Sequence, residues 1–590
     1  LPVPGGERAQ EQHEAPQGEV EQALAQIWAQ VLEVAQVGRH DNFFELGGDS
    51  ILSIQIKAQA QQQGLQFALE ALFERQTVAR LAEVVTRSAD EAASTLPTVA
   101  PFALVDAGVR ERLPAGLDDA YPASRMQMAL LYHSDTSQDA IVYQDVVCYE
   151  VALAWDAATL QQVVDDLAVQ HPVLRTSFSM AHGAEPLQLV WKNARMPLTV
   201  LPSVRDDAQA NRELDALITR ETLTAFDWDT APLCRIHVLP LPAASYFHLC
   251  VTFHHAILDG WSETLLIKQL LTRYRQALAG KPPIADGKTL PYREFIALEA
   301  AALASQDSRS YWQAQLAQYT DAGLQPADGA LGDRAATSRV EREIEISDAV
   351  EERLTALAIA MGVPLKSVLL AAHLKVLAVA LGRSDVISGV TVNGRPEREG
   401  GERTLGLFIN TVPMRARLGG ERWRDLVRNV FERERETLPH RRFPLAEIVK
   451  DCGGMPFDTA FNFTRFHVGE QMYSGEEAPI RDRRGFAATH FACVAEFMVR
   501  PGENRLRCVL IFDGAKLPLP RQDTLAALYA QVLAAIAADP DAYHAGWPGV
   551  AAAQADASPD PLALPEGFRK RRRGTMPQPP VMAHSTESFQ

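Results

Sequence analysis

Two short stretches of this chain hold residue types that could do chemistry. The first is His254-His255-Ala-Ile-Leu-Asp259-Gly260-Trp261-Ser262. It follows an apolar run at 246–253 (YFHLCVTF) with the length and composition of a strand. Adjacent side chains on a strand point to opposite sides, so one histidine can face a channel while the other packs inward. An imidazole with an unperturbed pKa of about 6.5 can accept a proton from a nucleophile, or hydrogen-bond to it and orient it. The second stretch is Gly47-Gly48-Asp49-Ser50, which runs into a helical pattern from Ile51 to about Gln63. The glycines allow a tight turn that exposes the serine hydroxyl. A serine opening a helix can act as its N-cap, and the same helix N-terminus accommodates the negative charge of a phosphate. The residues alone leave both roles open for Ser50.

The elements that must position these residues fall into two regions. Val20, Leu24, Ile27, Trp28 and Val31 recur at helical spacing. A loop from Gly38 to Ser50, the helix beginning at Ile51 and another from Thr77, a good N-cap, to Val85 complete a small helical unit over 18–88. Residues 1–17, polar with Pro and Gly, read as linker. Residues 89–116, with Ala, Ser, Thr and Pro, read as a second linker carrying one amphipathic stretch, Phe102 to Leu113. It is long enough for the small unit to move relative to the larger region. From Tyr121 to about Asp541 helices and strands alternate. The run at 262–278 predicts a helix whose Ile267, Leu270, Leu271, Tyr274 and Leu278 share a face. Residues 386–391, 407–414 and 506–512 read as strands. This region exceeds one comfortable core, which predicts two α/β lobes, 117–285 and 286–548, divided near Gly280–Asp286. Residues 549–590, with the basic run Arg569–Arg573, read as a flexible tail.

Composition excludes several classes. A chain of 590 residues with 47% hydrophobic and 22% charged residues is ordinary globular protein in several units. Its net charge of -17 argues against a nucleic-acid partner. The six cysteines form no CxxC pair and no metal-ligand spacing, which predicts no metal and fits a reducing cytoplasm. No apolar run approaches the roughly 18 residues of a membrane span, and no signal-peptide pattern is visible. The opening Leu-Pro-Val-Pro-Gly-Gly, without Met, reads as linker inside a longer chain. There is no nucleophile elbow, Walker loop or dinucleotide fingerprint.

The segment Asp41-Asn-Phe-Phe-Glu-Leu-Gly-Gly-Asp-Ser50-Ile-Leu resembles the modification motif of peptidyl carrier proteins. The histidine stretch resembles the HHxxxDG motif of condensation domains, relatives of the chloramphenicol acetyltransferase-like acyltransferases. Further matches occur in family order: Tyr121-Pro-Ala-Ser-Arg-Met-Gln127, His171-Pro-Val-Leu-Arg175-Thr-Ser-Phe, Pro291-Tyr-Arg-Glu-Phe295, Thr404-Leu-Gly-Leu-Phe-Ile-Asn410-Thr-Val-Pro-Met-Arg415 and His440-Arg-Arg-Phe-Pro444-Leu. The resemblance implies a nonribosomal peptide synthetase fragment. Its fold would be a small all-α helical bundle, the carrier, followed by a two-lobed α/β condensation domain. By that resemblance Ser50 carries 4′-phosphopantetheine through a phosphodiester, and the larger domain joins a donor thioester to the amine of an acceptor on a downstream carrier. His255 is then the channel-facing catalytic histidine and His254 a structural one. The resemblance leaves open whether His255 acts as base, orients the nucleophile or stabilises the tetrahedral intermediate.

The backbone N–H of Gly260 is a further candidate contact, with turn geometry as its other reading. Asp259 is expected to be structural, because a poorly hydrated carboxylate needs a cation and arginine's fork can bind both oxygens. The resemblance implies Arg395 as that cation, since family members place an arginine after the second-lobe strand, where Asn393-Gly394-Arg395-Pro396 stands here. Arg175 and Asn410 read as lobe packing. One departure stands out. Many carriers read GGHS, and the Asp49 variant is often met before epimerization domains. An epimerization domain and a non-catalytic docking platform therefore stay as alternatives, although HHAILDGWS with NGRP and LGLFINT looks like the condensing branch. A heterocyclization domain would need DxxxxD in place of the histidines. The implied partners are a phosphopantetheinyl transferase, an upstream adenylation domain and a downstream carrier, with no nucleic acid and no membrane.

Overall fold

In a computed structural model of the chain, the described residues are 14–87, 98–136, 143–183, 185–241, 246–282, 287–319, 323–324, 339–465, 469–473, 475, 478–486, 491–499 and 505–546. The expected tail at 549–590 with its basic run, most of the first linker, residue 88 and residues 89–97 of the second linker lie outside them, as does part of the Gly280–Asp286 division.

The N-terminal unit is built from helices Gly18–Val31, Ser50–Gln62, Leu69–Arg75 and Val78–Ala82. In the first helix the predicted spacing buries Leu24, Ile27, Trp28 and Val31. Thr77 caps the last, its hydroxyl accepting from the Arg80 N–H at 3.3 Å. The short helix Leu69–Arg75 was not anticipated. Of the second linker, residues 98–116 are anchored rather than free. The apolar face of the expected amphipathic stretch (Phe102, Val105, Val109 and Leu113) packs on Leu117, Ala120, Leu187 and Leu189. The Val99 N–H donates to Glu294 at 2.8 Å, and Arg293 donates to the Val99 carbonyl at 2.6 Å.

The larger region contains a five-stranded sheet in the order 480–486, 144–151, 246–254, 234–241, 198–200 and a six-stranded sheet in the order 339–344, 506–513, 493–499, 459–465, 385–393, 409–417. A three-stranded sheet, 117–122, 187–191 and 176–179, flanks the first. The strand Ile480–Phe486 comes from the second half of the chain, yet pairs antiparallel with Gln144–Val151 of the first. Leu405 and Leu407 likewise sit in the first lobe's core. The lobes interpenetrate, so a division near residue 285 separates the chain but not the packing.

Helix Gly260–Leu278 buries Ile267, Leu270, Leu271 and Tyr274, while Leu278, at its last turn, emerges. Cys148 and Cys250 stand directly opposite in the register of their strands and are joined as a disulfide. The scattered spacing, read as fitting a reducing cytoplasm, gave no sign of this partnership, because cross-strand register brings together residues distant in sequence. Among the described residues no single helix is long and apolar enough to cross a membrane.

Candidate active site

The histidine motif is held by backbone pairing on both sides. Strand Tyr246–His254 runs antiparallel to Gln144–Val151, with Gln144 opposite His254 and Asp145 opposite Phe253. The pairing continues one residue past the strand, where the His255 N–H donates to the Tyr143 carbonyl at 2.8 Å. Alternation along the strand then separates the two imidazoles. His254 is buried, and its Nδ1 accepts the Ala256 N–H at 3.1 Å. Burial, with the neighbouring His255, depresses its pKa to about 4, so it is neutral at physiological pH. His255 is a quarter exposed at its side chain and lines a cavity of about 1080 Å³. Its Nδ1 lies 3.2 Å from an Asp145 carboxylate oxygen, within ion-pair distance though not aligned as a hydrogen bond.

Asp259 closes the motif as the N-cap of helix Gly260–Leu278, accepting from the Ser262 N–H at 2.8 Å. The structure brings Arg395 to it. One guanidinium nitrogen reaches both carboxylate oxygens, at 2.9 and 3.3 Å, and the Phe408 N–H donates to the second at 3.0 Å. The geometry differs from the two-nitrogen fork expected. The other terminal nitrogen of Arg395 is turned to the carbonyls of Gly401 and Thr404, because that loop presents acceptors that would otherwise be buried unpaired. The same Arg395 nitrogen that meets Asp259 donates to Ser262 Oγ at 2.6 Å, and the guanidinium lies 4.2 Å from the centre of the Phe408 ring. The pair is essentially dry and ties the motif to a loop of the second lobe. Gly260 is exposed and lines the cavity at the helix's first residue, where backbone N–H groups lack intrahelical acceptors.

The serine motif faces the same cavity, which Gly47, Gly48 and Asp49 border. Gly47 takes a φ of +93°, a left-handed conformation that favours glycine. At Gly48 a β-carbon would overlap the Phe43 ring, which is itself packed edge-on against Trp28 at 5.4 Å. The capping role open to Ser50 belongs to Asp49, whose carboxylate accepts from the N–H groups of Ile51 and Leu52 at 2.8 and 2.9 Å. Ser50 is the first residue inside the helix. The helix N–H donors that a phosphate would use are thus already engaged, which leaves the helix dipole as the favourable term at that position.

Three features were not read from the sequence. Asp145 pairs with His255 only through strand register, and no local signal marks it. Phe44, packed on Phe43 and Phe73 of the small unit, also meets Phe431 of the second lobe edge-on at 5.8 Å. Glu74 joins Arg435 beside it at 3.0 Å. Two consecutive phenylalanines in the motif were the available clue, since a small helical unit has little interior for both rings. Of the remaining candidates, Arg175 donates to the Ala168 carbonyl and to Asp118, both at 2.8 Å, within the first lobe. Asn410 borders the cavity and donates to the carbonyls of Arg441 and Phe443, each at 2.9 Å.

Comparison with known proteins gives two family matches, Condensation domain over residues 117–545 and Phosphopantetheine attachment site over residues 22–85. The AMB antimetabolite synthetase AmbE of Pseudomonas aeruginosa is 35% identical over 90% of this chain, which covers 25% of that protein. Tyrocidine synthase 3 of Brevibacillus parabrevis is 27% identical over 92% of this chain, which covers 8% of it. The chain thus spans a quarter or less of the length of these relatives. In fold, it is similar to the first condensation domain of the calcium-dependent antibiotic synthetase. That match has a TM-score of 0.61 and 19% identity, over 72% of this chain and 98% of that one. The condensation domain of the Monacolin K polyketide synthase MokA gives a TM-score of 0.62 at 16% identity, over 72% and 99% respectively.

Proposed function

The chain belongs to the condensation-domain family and carries an N-terminal phosphopantetheine-attachment domain, and from that premise we propose how its residues divide the work of forming an amide bond. It is a carrier–condensation didomain of nonribosomal peptide synthetase type, and its larger part is an acyltransferase. The observation that supports the reading is a shared cavity, bordered both by the serine motif and by His255.

Ser50 would carry the phosphopantetheine, on a turn shaped by Gly47, Gly48 and Asp49. When bound, that group supplies an acyl thioester on a flexible arm. His255 accepts the proton that an attacking amine loses as the new C–N bond forms. His254 stays neutral and packs the other face of the strand. Asp259 and Arg395 hold the loop that fixes His255, and the Gly260 N–H offers a dipole at the cavity wall. Confinement in the cavity supplies much of the rate, since an activated acyl donor requires mainly proximity and proton transfer.

The partners we assign are a phosphopantetheinyl transferase, an upstream adenylation domain that charges the carrier, and a downstream carrier that brings the acceptor. Charging by adenylation consumes ATP, which sets the work in the cytoplasm. The test is reconstitution: load the protein with coenzyme A and a transferase, charge it, add an aminoacylated carrier, and weigh the products. Wild type should yield the amide. Ser50→Ala should gain no pantetheine mass, and His255→Ala should load normally but yield little amide. Loading of Ser50→Ala would overturn the attachment assignment. Donor racemisation without amide would establish epimerization instead, and loading without either product a docking platform.

A further inference from the structure

We infer that Asp145 is a positioning residue for His255: its carboxylate fixes the imidazole with Nδ1 toward the strand and Nε2 toward the cavity. The inference rests on the reading of His255 as the proton acceptor in amide formation and assigns it a partner.

The geometry comes from strand register. Asp145 is opposite Phe253, and His255 is two residues beyond Phe253, so period-two alternation puts the carboxylate and the imidazole on one sheet face. The His255 N–H to the Tyr143 carbonyl keeps the backbones zipped at that point, which prevents the two side chains from drifting apart. Asp145 lines the cavity with its side chain 14% exposed, so little water competes for its charge. The 3.2 Å separation joins Nδ1 of His255 to the carboxylate. Contacts between a base and its orienting group often tighten only when substrate is bound.

The charged neighbours do not offer His255 a competing partner among the described residues. Asp259, four residues on, is committed to Arg395 at 2.9 Å. Glu263, on the helix Gly260–Leu278, is engaged by the Tyr149 hydroxyl and faces Arg483 of the strand Ile480–Phe486 at 3.8 Å. His254 is neutral on the opposite face. Burial is the largest single influence on His255 and disfavours the imidazolium, but the Asp145 carboxylate, through its charge and its polar contact, together with smaller help from Asp259 and the Leu258 backbone, holds the pKa above the usual histidine value.

The assignment defines a proton path. The acceptor amine's lone pair forms the C–N bond at the thioester carbonyl carbon, and the nitrogen's proton passes to Nε2. The carbonyl re-forms, the C–S bonding pair leaves on sulfur, and the imidazolium returns the proton to that sulfur. No net proton or electron is gained. Asp145 offsets the charge on the ring while it is protonated, without itself accepting the proton.

Two measurements separate this inference from the reading beneath it. The first is NMR titration of histidine side chains in the unloaded didomain, with His255 identified by His255→Gln. Asp145→Asn should lower the His255 midpoint by about one unit, and Asp145→Glu should retain most of the elevation. The second is kcat/KM for amide formation against pH. Asp145→Asn should move the acidic limb down by a similar amount and lower kcat about ten-fold through lost orientation. An unchanged His255 midpoint in folded Asp145→Asn overturns the proposal even if activity falls. So does an effect confined to KM for the acceptor, which would make Asp145 a binding group for the amine. A midpoint lowered by Asp145→Asn, when wild type itself forms no amide, leaves the pair intact and overturns the condensing reading alone.

Discussion

At the scale of single residues, the expected energetics are dominated by Asp259 and Arg395, an ion pair with almost no exposure. Removing one member strands the other charge in a dry site, at a cost of about 3–5 kcal/mol. We expect Asp259→Asn and Arg395→Gln each to lower thermal stability by that order, and the double variant to lose far less than their sum. Simple additivity in the double-mutant cycle would contradict the coupling. The Asp145–His255 contact predicts a pH signature. The folded pKa of His255 is raised, so its contribution to stability is fully present below about pH 6.5 and is lost as pH rises through the folded value. The difference in melting temperature between wild type and Asp145→Asn should therefore be larger at pH 6 than at pH 9. The Asp259–Arg395 partnership was legible in advance because a buried carboxylate demands a cation and the family resemblance put an arginine at position 395. Asp145 was not, because nothing local requires a strand aspartate to face a histidine more than a hundred positions away.

At the scale of elements, the attachment turn depends on close packing. The Cβ of an alanine at position 48 would collide with Phe43, which is wedged against Trp28 in the helical core. We expect Gly48→Ala to destabilise the helical unit by about 1–3 kcal/mol, the range for an overpacked core, and to slow modification of Ser50. Calorimetry and a time course of pantetheine mass gain would check both. The histidine strand and the two helices that open at the motifs were readable from hydrophobic period alone. The bounds moved by one or two residues, since Asp49 and Asp259 cap the helices one position ahead of Ser50 and Gly260. The strand Ile480–Phe486 was unreadable: its partner lies in the other half of the chain, and its basic residues do not mark it as a sheet edge.

At the scale of the whole molecule, the carrier rests on the second lobe through Phe44 on Phe431 and Glu74 on Arg435, and it turns its motif to the cavity. We expect Phe431→Ala to reduce amide formation from the attached carrier while leaving the rate with a freely diffusing small thioester donor unchanged. Equal losses with both donors would show that Phe431 acts on the site rather than on docking. Such contact requires the linker to be short of slack, and the anchoring of residues 98–116 provides that. The sequence by itself determined the helical unit, the α/β character of the remainder, and the residue types at both motifs, because period, turn residues and spacing are local properties. Tertiary structure decided which side chains meet. Strand register chose Asp145 for His255 and Cys148 for Cys250, a second-lobe loop supplied Arg395, and lobe packing joined the serine motif and the histidines in one cavity. These depend on contacts between residues far apart in the chain, and no local pattern encodes the distance between them.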